Sequence, residues 1–113
     1  MKKSLFLSVA AIVGLTAGVA AAGTLDDTIA RGHVKCGVSG GSPGFSEVDD
    51  SGKRVGFDVD YCRALASAIF NDPMAVKFTP LSSSVRFTAL ASGEVDVLAR
   101  NTTWTYRRDT DPK

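Results

Sequence analysis

Three short apolar runs, "HVKCGVS" (33–39), "MAVKFTPL" (74–81) and "VDVLA" (95–99), are separated by two stretches of helical period, and this order constrains the fold most. Alternation puts Val34, Cys36 and Val38 on one face of the first strand. "GFDVDYCRALASAIFND" then switches period. Val59, Cys62, Ala66, Ile69 and Phe70 form one apolar stripe, Asp58 is a cap candidate, Phe57 is placed to staple onto Cys62, and Pro73 stops the helix. Ser82–Ser84 are expected to cap a second helix through Phe87, Leu90 and Ala91, ended by Gly93. The third run is short and mostly apolar, as a buried parallel strand should be. Strand, helix, strand, helix, strand is two βαβ crossovers, an α/β architecture. With the second strand on one side of the first and the third on the other, the sheet order is 2-1-3.

Ahead of this unit, Thr24 is the expected cap of a short helix to Arg31, with Asp26 and Asp27 in its first turn and Gly32 as its stop. Between the first strand and the long helix, "SGGSPGFSEVDDSGKRV" reads as a loop or loose hairpin. Residues 1–22 belong to neither. Lys2 and Lys3 precede an uncharged run from Leu5 to Ala22, and Ala20-Ala21-Ala22 offers a small-residue cleavage site, so a removed signal peptide is expected in preference to a membrane anchor. Without Lys2 and Lys3, eleven basic residues face twelve acidic ones, about −1 overall. That balance argues against bulk attraction to nucleic acid or anionic membrane.

In a sheet of order 2-1-3, ligands bind beyond the carboxyl ends of the strands, where the winding reverses. "SGGSPGF" and "RNTTWT" lie there and are expected to converge. Thr105 is placed to cap a new helical turn with Arg108 close to its start, where free N–H groups attract anions and a guanidinium grips a carboxylate through two hydrogen bonds. Thr103 offers a hydroxyl, and Asn101 offers carbonyls for an ammonium group. Such a set suits a zwitterion; a polar loop with solvated arginines is the alternative reading. Phe45 serves as an apolar wall or as part of a plain turn, and Trp104 as a lid or as a ring packed on the surface. The glycines lack the spacing and lysine of a phosphate loop. His33 stands without partners at metal-ligand spacing, and no nucleophile–base pair is visible, so neither metal, cofactor nor catalytic residue is expected.

Cys36 and Cys62, the two cysteines, fall on facing surfaces once the long helix packs on the sheet. They are expected as a disulfide, or else as buried thiols.

"GFDVDYCRALASAIF", "RFTALASGEVDVLARNTTWT" and the leader resemble the periplasmic amino-acid-binding proteins of ABC transporters, solute-binding family 3, and most closely its general L-amino-acid-binding subgroup. The resemblance implies a type II periplasmic-binding-protein fold and a non-enzymatic, monomeric protein that hands L-amino acids to an inner-membrane permease. By position, Arg108 matches the arginine for the ligand carboxylate. Asn101 and Thr103 match positions that hold the α-ammonium and carboxylate. Arg100 opens the same segment, where a long cation is unusual and reaches toward an acidic ligand or the opposite lobe. Ser39 and Ser42 line the side-chain end of the pocket, and Ser83 and Ser84 lie at a further wall, where "SSSVRF" replaces expected charges. The resemblance also implies two lobes, so residues 23–113 are expected to be the N-terminal part of lobe one and the chain to be truncated. A dehydratase-like periplasmic enzyme on the same fold and a non-functional remnant are the alternatives.

Overall fold

A computed structural model describes residues 23–110; the expected leader, 1–22, lies outside the described residues. The elements run α1 (Thr24–Arg31), β1 (Val34–Ser39), β2 (Glu47–Val48), β3 (Arg54–Val55), α2 (Phe57–Phe70), β4 (Val76–Leu81), α3 (Arg86–Ala91), β5 (Val97–Leu98) and α4 (Tyr106–Thr110). The main sheet is parallel in the order β4-β1-β5, the expected 2-1-3. Val34 to Ser39 pair residue for residue with Val76 to Leu81, and Cys36 and Gly37 face Val97 and Leu98. Backbone bonds from Asp96 to Lys35 and from Ala99 to Gly37 extend the β5 ladder at both ends. Pro80 has no N–H to donate and lies in β4, at the end of this strand order, as such a residue must.

Helices cover both faces of β1. On one face Cys36, Val38, Cys62 and Ala99 form a buried cluster backed by Val76, Phe78 and Val97. On the other, Leu81, Ala89 and Val95 pack with Leu98. Gly37 separates the two clusters. A β-carbon there would lie 2.8 Å from Leu81 Cδ1 and 3.1 Å from Leu98 Cδ1, so any larger residue would force these side chains to shift. Cys36 and Cys62 are joined as a disulfide with Cα atoms 6.3 Å apart, tying β1 to α2.

Helix starts depart from the sequence expectations. Gly23, not Thr24, caps α1, and its N–H is accepted by Asp26 Oδ2 at 3.3 Å. Gly56, not Asp58, precedes α2, and Val85 rather than the serine run precedes α3. At α2 a tertiary contact outweighs side-chain capping preference. Gly56 has φ 121°, and a β-carbon on it would run into the Phe45 carbonyl, so glycine alone fits where the β2–β3 hairpin meets α2. Phe57 consequently sits inside the helix, exposed, and meets Phe45 edge-on at 6.4 Å instead of stapling onto Cys62. The helix stops expected at Gly32, at φ 81°, and ahead of Pro73, where Asn71 takes φ 55°, are found. The loose hairpin is the antiparallel pair β2–β3.

Candidate functional site

Beyond the carboxyl ends of β1, β4 and β5, three arginines dominate. Arg100 follows β5 and reaches across the sheet end. Its Nη1 donates to the Leu81 carbonyl, and its Nη2 to Ser83 Oγ at 3.4 Å and Asn101 Oδ1 at 3.0 Å. Arg86, the first residue of α3, is buried and donates Nη1 to the Asn101 carbonyl at 3.2 Å. Arg108, on α4, donates to the Thr103 carbonyl. The guanidinium carbons of Arg86 and Arg108 each lie 5.1 Å from the centre of the Phe87 ring. Among the described residues none of the three makes an ion pair, and Arg86 Nε and Arg100 Nε are buried without hydrogen-bond partners. Burial, and then the positive charges of Arg100 and Arg108, push the Arg86 guanidinium below its ordinary value.

Asp58 is the nearby counter-charge. It is buried at the start of α2, with Oδ2 unpaired, and burial raises its carboxyl above the ordinary range while the Arg100 charge opposes the shift. The remaining carboxylate of the segment, Asp109, accepts from Trp104 Nε1 at 3.2 Å. The tryptophan is 83% exposed, so its ring does not pack on the surface.

Burial sorts the hydroxyls of the segment 100–105. Thr102 turns inward with an unpaired Oγ1, while Thr103 is exposed. Thr105 caps α4 as expected, accepting from Arg108 N through Oγ1 at 3.3 Å and from Asp109 N through its carbonyl at 3.0 Å. The Arg108 N–H is therefore satisfied within the chain, while the Tyr106 and Arg107 N–H groups at this helix start have no hydrogen-bond partner among the described residues. Both Asn101 carbonyls, expected to face an ammonium group, already accept from guanidinium donors.

On the β1 side, Ser39 is buried and its carbonyl accepts from Ser46 Oγ at 2.9 Å and Arg54 Nη1 at 3.2 Å. Ser42 pairs with Ser46 through a β-bridge, which folds the "SGGSPGF" loop back. Ser83 and Ser84 are exposed, and Ser83 touches the site only through Arg100. Sequence reading missed Arg86, Phe87 and the Ser46–Arg54 brace. Arg86 is the first helical residue after a polar run, and its local pattern gives no sign of burial. The ion cluster at the opposite strand ends is separate: Arg31 bonds Asp96, which also accepts from Lys35 N at 2.8 Å, a closed structural tie.

A set of cations, a hydroxyl and aromatic rings (Phe45, Phe57, Phe87) suits binding of a small anion-bearing solute. Among the described residues no three histidine, cysteine or carboxylate side chains gather to hold a metal ion.

Residues 34–111 match the family model of bacterial extracellular solute-binding proteins, family 3. The chain is 55% identical over 111 residues to the glutamate/glutamine/aspartate/asparagine-binding protein BztA of Rhodobacter capsulatus, covering 98% of this chain and 33% of that protein. It is 56% identical over 101 residues to the general L-amino acid-binding periplasmic protein AapJ of Rhizobium johnstonii, covering 89% and 30%. Among solved structures, an ABC transporter periplasmic binding protein from Brucella ovis with glutathione bound superposes with a TM-score of 0.76 at 63% identity, covering 80% of this chain and 28% of that one. The chain thus spans about a third of the length of the curated relatives it matches.

Proposed function

Because the chain belongs to the bacterial extracellular solute-binding proteins of family 3, we propose that its strand ends form one side of an L-amino-acid site in the solute-binding component of an ABC transporter. The observation that carries this reading is the gathering of Arg86, Arg100 and Arg108 around Asn101 and Thr103 at the sheet's carboxyl ends, with no ion pair among the described residues. Arg108 takes the α-carboxylate through its free N–H groups, beside the exposed Thr103 hydroxyl. The buried Arg86 and the Arg100 fork add positive charge that favours a second anionic group, so acidic amino acids bind better than basic ones. BztA, named for glutamate and aspartate among its ligands, and the glutathione-bound Brucella protein are in keeping with such a site. Ser39 and Ser42, with Phe45 and Phe57 alongside, form the wall for the ligand side chain.

The protein acts in the periplasm after removal of residues 1–22, as a monomer without cofactor, and delivers its ligand to the membrane permease without chemical change. The relatives are described as binding proteins, and this does not favour a dehydratase-like alternative. Calorimetry with a panel of L-amino acids tests the reading. Micromolar binding of L-glutamate without turnover, strongly weakened but still measurable in Arg108→Ala, is expected; L-lysine binding as tightly as L-glutamate would overturn the acidic preference.

A further inference from the structure

The three guanidiniums repel one another, and Arg108 sits on a five-residue helix whose residues are all exposed. Something must hold Arg108 next to Arg86. The Thr103 carbonyl supplies one tether, but it lies in the same exposed segment and moves with it. The other contact is to a different element: the Phe87 ring on α3, which both guanidiniums approach to 5.1 Å. A ring quadrupole attracts a cation placed over its face, and one ring can hold two cations that would otherwise separate. Phe87 is 40% exposed and lies outside both core clusters, so packing the core does not account for it.

The geometry points to Phe87 as a positioning residue that fixes the Arg108 guanidinium for its ligand, an inference that rests on the carboxylate role given to Arg108 above. Leucine at this position keeps an apolar side chain of helix-forming type but removes the aromatic face; tryptophan keeps it. Phe87 therefore aims the arginine and does not itself need to touch the solute.

The experiment is a double-mutant cycle on the full chain, with L-glutamate as titrant. F87L raises Kd about 2- to 5-fold, the range for an exposed cation–π contact, while F87W stays close to the parent. In an R108A background the same F87L change costs less than in the parent, because the arginine it positions is gone and only the Arg86 contact with the ring is left to lose. NMR of the Arg108 side chain supplies a readout without ligand: its guanidinium protons show an aromatic ring-current shift that F87L abolishes and F87W retains. An F87L loss that adds in full to that of R108A, or an Arg108 resonance unchanged by F87L, overturns the positioning role. If R108A binds L-glutamate as well as the parent, the carboxylate reading itself fails, whatever the NMR shows.

Discussion

Reduction of the Cys36–Cys62 bond should remove a large share of this unit's stability. The bridge closes a loop with a sequence separation of 26. On the loop-entropy model, a closure of that size lowers the denatured chain's entropy enough to stabilise the fold by about 3.5 kcal/mol. Residues 23–110, at roughly 0.05–0.15 kcal/mol per residue, are stable by about 4–13 kcal/mol, so the bridge supplies about a quarter of that total or more. Reduction is the cleaner perturbation because both sulfurs are fully buried, and cysteine-to-alanine changes would add a cavity cost. The protein is unfolded in urea with and without a thiol reductant, followed by circular dichroism. With a urea slope of about 1.5 kcal/mol/M, the midpoint falls by about 2 M. Thiol titration of the denatured protein should find none before reduction and two after. A midpoint moved by less than about 0.3 M, with two thiols confirmed, would refute the reasoning, since the denatured chain would then gain no freedom from losing the bridge.

Gly56→Ala forces a β-carbon against the Phe45 carbonyl at a φ that L-residues rarely adopt; a loss of about 3 kcal/mol or more is expected in urea unfolding. Gly37→Ala crowds Leu81, Leu98 and Val95 and should cost about 1–3 kcal/mol, less than Gly56→Ala because side chains can shift. For Asp58 the folded carboxyl is raised by burial above its unfolded value, so the folded state holds the proton more firmly. Its contribution is most favourable below the unfolded value of 3.8 and declines as pH rises through the raised folded value. Urea midpoints between pH 3.5 and 6.5 should show that decline in the parent and a flatter profile in Asp58→Asn; identical profiles would sink the assignment.

The element order and the α/β class follow from patterning alone, whereas the strand order rests on which side of β1 each later strand takes. Period-2 and helical stretches alternate, short parallel strands need crossovers, and the hand of those crossovers leaves few arrangements. The meeting of Cys36 with Cys62 follows from the same placement, because the apolar stripe of α2 has to pack on β1. Local signals failed at helix starts: Asp58, Thr24 and Ser82–Ser84 are good caps by type, but Gly56, Gly23 and Val85 take those positions, and at α2 the cause is the approach of Gly56 to the Phe45 carbonyl. The site divides in the same way. Arg100, Asn101, Thr103 and Arg108 lie in one run of sequence and could be read as a group. That Arg86 is buried beneath them, that Phe87 carries two guanidiniums, and that the Asn101 main-chain carbonyl is already engaged, depends on α3 packing beside the end of β5. Residue type and spacing determine which groups are available for a ligand. Only the tertiary packing decides which of them the chain has satisfied itself, because a hydrogen bond or ring contact made across the sheet end leaves no trace in local sequence.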